Sequence, residues 1–151
     1  MTPKLLTGFF THAMDAKGRV KLPAMWEGVL GKSFMLTRGT GNMLYVFTME
    51  QWEKFTEYLM SMPMLDLDAQ ELRRKFGGAA WPCETDKQGR FLIPQQLRKI
   101  ANLQKDIVLN GALSWGEIWD AEAWERHDAE HFDVTDNRLL QMMHETSGSK
   151  Q

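Results

Sequence analysis

The chain of 151 residues has a single cysteine, Cys83, so it can form no internal disulfide and lacks the paired-cysteine spacing of a zinc site. Histidine is scarce as well, with four residues, and only His127 and His131 stand four apart, without a third ligand at a distinctive spacing. No stretch joins a charged start to a long apolar run. Neither a signal peptide nor a membrane span is therefore expected, and the default setting is reducing and cytoplasmic. An excess of positive charge is also missing, since 18 Lys and Arg face 20 Asp and Glu for a formal charge of −2. That balance is uneven along the chain. Residues 117–136 hold eight acids and one arginine, a net of −7, which leaves +5 on the remainder. A basic face elsewhere is thus compatible with the overall charge.

Large apolar side chains are plentiful: eight Phe, six Trp and eleven Met in a chain that is 43% hydrophobic. This is ample for one compact domain or two small halves, with some left for contacts between subunits.

The most informative feature is a repetition. Residues 15–23 read DAKGRVKLP and residues 86–94 read DKQGRFLIP, so that Asp15, Gly18, Arg19 and Pro23 fall on Asp86, Gly89, Arg90 and Pro94 at an offset of 71. One further residue out of register, FMLTRG (34–39) lies over DIVLNG (106–111), and TMEQWEK (48–54) lies over DAEAWER (120–126). Two copies are too few for a solenoid and point instead to a pseudo-symmetric pair packed on itself. The expected division is a first repeat over 1–60, a helical connector over 61–77, a second repeat over 78–126 and a helical tail over 127–151.

Within a copy, Asp at the first turn position can accept backbone N–H bonds and Gly supplies a positive φ, which reads as a hairpin turn with a bulge. RVKLP then alternates, with Val20 and Leu22 on one face and Arg19 and Lys21 on the other, as a half-buried strand requires. Proline ends the strand and opens a short helix, closed by Gly31 in the first copy and Asn102 in the second. A second hairpin follows, with GTGN at 39–42 as its turn rather than a phosphate loop. Thr48, with Gln51 three residues on, has capping-box spacing for a helix carrying Trp52, Phe55 and Leu59 on one face, and Asp120 is the matching cap ahead of Trp124. In the connector, Ala69, Leu72 and Phe76 form an apolar stripe, and Arg73, Arg74 and Lys75 read as a solvated basic face. DNRLLQMMHE reads as a further amphipathic helix, and TSGSK as a disordered end. Four short strands per copy do not make a self-sufficient sheet, so the two copies should interleave their hairpins into a shared barrel-like core.

DAKGRVKLP, FMLTRG, MEQWEK, DKQGRFLIP and EIWDAEAWE, in this order and spacing, resemble the MraZ family of bacterial transcriptional regulators. That family duplicates the swapped-hairpin fold of AbrB-type DNA-binding proteins. The likeness runs from about Gly8 to about Arg126. It implies an α+β fold of two pseudo-symmetric swapped-hairpin repeats with peripheral helices, assembling into a ring. It further implies a sequence-specific DNA-binding regulator, a repressor of its own division and cell-wall operon that recognises short tandem direct repeats, located in the cytoplasm on the nucleoid. The family's DNA-contacting motifs fall on Asp15 with Arg19 and on Asp86 with Arg90.

Lys17, Lys21 and Lys87 add positive potential around these arginines, suited to phosphate contacts. Residues 15–21 carry +2 and residues 86–90 carry +1, so the first copy is expected to be the stronger contact. Each arginine could simply pair with its own aspartate. The alternative is that the carboxylate presets a guanidinium plane that then meets phosphate or a guanine edge. No enzymatic activity, cofactor, metal, membrane or small-molecule substrate is expected, since Cys83 has no fixed base and the His127 and His131 pair reads as solvent-facing. The runner-up is a ring-forming protein-interaction scaffold whose arginines serve assembly and do not touch DNA.

Overall fold

The computed structural model describes residues 4–131 and 133–148, and the chain divides into two compact units, residues 1–121 and 122–151.

The first unit holds β1 (Phe9–Ala13), β2 (Arg19–Lys21), α1 (Ala24–Leu30), β3 (Ser33–Arg38), β4 (Leu44–Thr48), α2 (Met49–Ser61) and α3 (Leu67–Gly78). It continues with β5 (Trp81–Glu84), β6 (Arg90–Leu92), α4 (Gln95–Ile100), β7 (Asp106–Gly111) and β8 (Gly116–Asp120). All strands are antiparallel: six form a sheet in the order β1-β7-β8-β4-β3-β5, and β2 and β6 form a separate ribbon. Every strand of the first copy pairs with one of the second, through β1 with β7, β2 with β6, β3 with β5 and β4 with β8. The copies are interleaved, as expected. The six-stranded sheet is open, with β1 and β5 as its edges. Pro82, which cannot donate to a ladder, sits in edge strand β5 opposite Met35, where its missing N–H is harmless.

The strand register carries a local two-fold. In the ribbon Val20 faces Phe91, with Arg19 opposite Leu92 and Lys21 opposite Arg90. In the sheet Tyr45 faces Glu117, with Leu44 opposite Ile118 and Val46 opposite Gly116. These two central pairs are 71 and 72 residues apart in sequence, the same offsets at which the copies align.

One correction concerns the repeated turn. Asp15 and Arg19 close it (Asp15 N–H to Arg19 O, 3.0 Å), yet β1 and β2 do not pair with each other: one enters the sheet and the other the ribbon. The turn is local, but the hairpin around it is exchanged between copies.

The core lies between sheet and ribbon. Val20 and Phe91 from the ribbon, Leu22 and Ile93 just after its strands, Trp26 and Leu97 from the short helices, and Phe34, Leu36, Ile107 and Leu109 from the sheet are all buried. Phe34 and Phe91 meet edge to face at 5.5 Å. Each such side chain stabilises by about 1.5–3 kcal/mol relative to exposure. Helix α1 ends at Gly31 (φ 71), while α4 ends at Ala101 with Asn102 (φ 48) just beyond it. There Asn102 N–H donates to Lys99 O and Leu103 N–H to Arg98 O, a pair of C-terminal capping bonds that favours Asn or Gly in the left-handed position.

Helices α2 and α3 cover the other face of β3 and β4. Thr48 caps α2 by accepting the Gln51 N–H at 3.0 Å, and Phe55 packs on Phe47 and Phe76 at 5.1 Å from each. Two connector expectations change. Leu72 is 40% exposed, whereas Arg73 turns inward and donates to the carbonyls of Leu59, Met62, Pro63 and Met64 at the end of α2. Leu59 lies in the last turn of α2, where carbonyls lack an intrahelical partner, and the guanidinium gathers its oxygen together with those of the turn that follows. Only Arg74 and Lys75 remain on the outer face, both near Glu71. Asp120, expected as a helix cap, is buried and accepts the Gln104 backbone N–H at 3.0 Å.

The second unit holds most of α5 (Ala121–Glu130) and α6 (Asn137–Gly148). His127 of α5 and His131 just beyond its end stack their rings at 3.7 Å, and His131 Nδ1 lies 2.6 Å from the His127 carbonyl oxygen. Residues 146–148, expected to be disordered, continue α6, and the rest of that stretch lies outside the described residues. Among the described residues no helix is long and apolar enough to cross a membrane.

Candidate nucleic-acid interface

Both repeated turns use their aspartate in the same way. Asp15 Oδ1 accepts the backbone N–H of Lys17 (3.0 Å) and of Arg19 (2.8 Å), while Oδ2 accepts Arg19 Nε at 2.8 Å. Asp86 Oδ1 accepts the N–H of Gln88 (2.8 Å) and of Arg90 (3.0 Å), and Oδ2 accepts Arg90 Nε at 3.3 Å. These bonds favour the ionised carboxylate, so both aspartates titrate below the ordinary carboxylate value, the Arg19 and Arg90 backbone N–H groups being the main causes. Gly18 (φ 87) and Gly89 (φ 74) take the backbone position that a side chain would strain.

The guanidinium is bound through Nε, which fixes its plane. The Nη groups of Arg19 have no acceptor among the described residues, and the outer edge of the fork remains presented to solvent. Arg90 differs in one respect: its Nη1 lies 3.8 Å from Asp15 Oδ2, across the boundary between copies. The ribbon therefore brings both motifs into one surface, with Asp15 between the two arginines. Both arginine side chains are about one-third exposed, at 34% and 31%.

The other expected residues divide. Lys17 and Lys87 are exposed, and their ammonium groups have no partner among the described residues. Lys21 is not a free cation beside the first turn: its Nζ donates to Gln88 O at 2.8 Å in the second turn and lies 3.9 Å from Glu27. Arg98, overlooked in the sequence, packs on the first turn without donating to it. Its guanidinium covers Gly18, and its Nε donates to Ile93 O at 2.9 Å. A signal for it was present, because the offset of 71 sets Arg98 on Glu27, a charge reversal between otherwise matching stretches.

Elsewhere the chemistry is quiet. Burial pushes the Cys83 thiol up to about 12, which keeps it from ionising near neutrality. Among the described residues no group of three or more His, Cys, Asp or Glu is placed to hold a metal ion.

The MraZ family model, described as "MraZ protein, putative antitoxin-like", matches the chain twice, over residues 5–75 and 76–141. The chain belongs to the MraZ family. Similar proteins include the transcriptional regulator MraZ of Caldicellulosiruptor saccharolyticus, 40% identical over 93% of this chain and 98% of that protein. Another is the transcriptional regulator MraZ of Thermoanaerobacter pseudethanolicus, 42% identical over 82% of this chain and 86% of that protein. The two MraZ matches meet within α3, so each takes one turn, one ribbon strand and one Asp and Arg pair.

Proposed function

We propose that this chain is a sequence-specific DNA-binding transcriptional regulator, acting as a repressor of its own division and cell-wall operon. It binds short tandem direct repeats in the promoter as a homo-oligomeric ring, in the cytoplasm and on the nucleoid. The names of its relatives support the regulatory role. The observation that carries the DNA contact is the ribbon surface, on which Arg19 and Arg90 are each oriented through Nε by an aspartate, the Nη edge of Arg19 staying open and Arg90 Nη1 lying 3.8 Å from Asp15 Oδ2. That edge fits a phosphate or the O6 and N7 of guanine. Lys17 and Lys87 add phosphate contacts around it, and Asp15 and Asp86 set the geometry. Two repeats over 1–60 and 78–126, joined by a helical connector over 61–77 and followed by a tail over 127–151, belong to the same reading, as does a small barrel-like core shared by the two repeats.

One such surface per subunit binds weakly. Several subunits on successive repeats multiply modest affinities through effective concentration. The deciding experiment is selection of bound fragments from genomic DNA by the purified protein. Enrichment of a spaced direct repeat, with log affinity falling linearly against log salt by a slope of several units, supports the proposal. No enrichment and a flat salt response would leave the arginines to assembly and favour the scaffold.

A further inference from the structure

The two turns are alike in their own bonds but differ in what holds them from outside. Over Gly18 the space that a Cβ would take is filled by the Arg98 guanidinium and by the Ile93 carbonyl oxygen; Ile93 N–H in turn donates to Gly18 O at 2.9 Å. Over Gly89 the same space is filled by Lys21 Nζ and a Glu27 carboxylate oxygen, and Leu22 N–H donates to Gly89 O at 2.9 Å. Each turn is thus pinned by a backbone bond and a cation from the opposite copy. The cations are not equivalent in sequence: Lys21 aligns with Leu92, and Glu27 with Arg98. The copies have diverged so that one supplies a lysine from its ribbon strand and the other an arginine from its short helix.

We propose that Lys21 and Arg98 are positioning residues for DNA recognition, each holding the turn of the other repeat and through it the guanidinium of Arg90 or Arg19. This rests on the DNA-binding reading and revises it, since Lys21 then serves DNA through Gln88 and Gly89, not as a phosphate ligand. The chemistry suits the role. Lys21 Nζ donates to Gln88 O and fixes the Gln88–Gly89 peptide plane within the second turn, whereas Arg98 packs over Gly18 and donates to Ile93 O, the residue whose N–H holds Gly18 O; such charge-assisted bonds are stronger than neutral ones. The two braces also differ in stiffness. The Arg98 fork is planar and pre-organised, whereas Lys21 is a flexible stem whose side chain is 55% exposed. The first turn is therefore the rigid reader, and the second can adjust to its site.

Amide hydrogen exchange in the free protein tests the brace directly. Lys21→Met is expected to speed exchange at Gly89 and Arg90 about tenfold, the effect of losing one hydrogen bond to a charged group, and to leave Gly18 and Arg19 unchanged. Arg98→Met should give the reverse pattern. On a duplex recovered from genomic DNA by the unaltered protein, both variants should weaken binding about tenfold at unchanged salt slope, with Lys21→Arg and Arg98→Lys recovering much of the loss. A slope reduced by about one per engaged subunit in Lys21→Met, without faster turn exchange, makes Lys21 a phosphate contact and overturns the proposal. Unchanged affinity in a variant whose turn exchange has risen overturns it too. If the unaltered protein selects no duplex, the DNA-binding reading itself falls and takes the recognition role with it, while the exchange pattern still reports whether the brace exists.

Discussion

Arg90 Nη1 of the second repeat lies 3.8 Å from Asp15 Oδ2, the same carboxylate oxygen that accepts Arg19 Nε at 2.8 Å. One aspartate thus lies between the arginines of both repeats, and the two motifs act as one surface. The greater charge of the first turn, on which its expected dominance rested, is also shared out, because the Lys21 ammonium sits on the second turn. Arg19→Ala and Arg90→Ala should therefore weaken DNA binding to a similar degree. The expected loss is about 1–3 kcal/mol each, roughly ten- to a hundredfold per contact, at unchanged oligomer size. Gel shift beside light scattering measures both quantities. A variant that loses binding only by changing its assembly would speak against direct contact.

Much of this surface was legible in the sequence, and the reasons are local. Asp accepting its own turn's N–H groups, Gly at positive φ and the alternation of Val20 and Leu22 against Arg19 and Lys21 are short-range constraints that residue types alone dictate. Thr48 capping α2 is another. What could not be read is which strand meets which. Alternation says that Val20 is buried, not that Phe91 is its partner, and so the turn reads as a simple hairpin although its strands are exchanged. Arg73 was misplaced for a related reason. The apolar stripe assigns a helix face by residue type, but the Leu59 carbonyl in the last turn of α2 and the carbonyls just beyond it draw the guanidinium inward. Long side chains such as Lys21 and Arg98 reach partners that spacing does not reveal.

Acid should loosen the turns at a pH set by their aspartates. Both carboxylates titrate below the ordinary value of 3.8 because backbone N–H groups and arginine favour the charged form. The folded pKa is depressed, so their stabilisation is fully present above the ordinary value and is lost as pH falls through the lowered one. Carboxyl carbon titration by NMR should show both midpoints below those of exposed aspartates. Asp15→Asn should remove the corresponding low-pH transition of the Arg19 amide and also shift the Arg90 side-chain signals. Asp86→Asn should alter chiefly its own turn. Equal effects of the two substitutions on both arginines would contradict the shared position of Asp15.

Three glycines separate strain from space. Gly18 and Gly89 combine a positive φ with a site already filled, by Arg98 and by Lys21 with Glu27. Alanine at either should destabilise by about 1–3 kcal/mol and displace the brace. Gly28, inside α1, has nothing within 4 Å of where a Cβ would stand. Gly28→Ala should therefore stabilise by about 0.5–1 kcal/mol through reduced freedom of the unfolded chain. Thermal or denaturant unfolding measures the three, and a loss of stability in Gly28→Ala would count against the described geometry of α1.

Arg73 supplies a control that separates folding from recognition. Its guanidinium donates to four carbonyls where α2 gives way to α3, at 2.9 to 3.4 Å, whereas Arg74 and Lys75 reach only side chains of their own helix, the exposed Glu71 and, for Arg74, also Gln70. Removing Arg73 leaves carbonyls short of a donor, and Arg73→Met, which keeps much of the stem, should destabilise by about 1–2 kcal/mol. Arg74→Met and Lys75→Met each break exposed pairs, and their cost should stay within about 0.5 kcal/mol. None of the three belongs to the ribbon surface. Once folding is corrected for, DNA affinity and its salt slope should match the unaltered protein in all of them. If Arg74 and Lys75 together lower the salt slope by about two per engaged subunit, the outer face of α3 also touches phosphate, and the interface is wider than the ribbon.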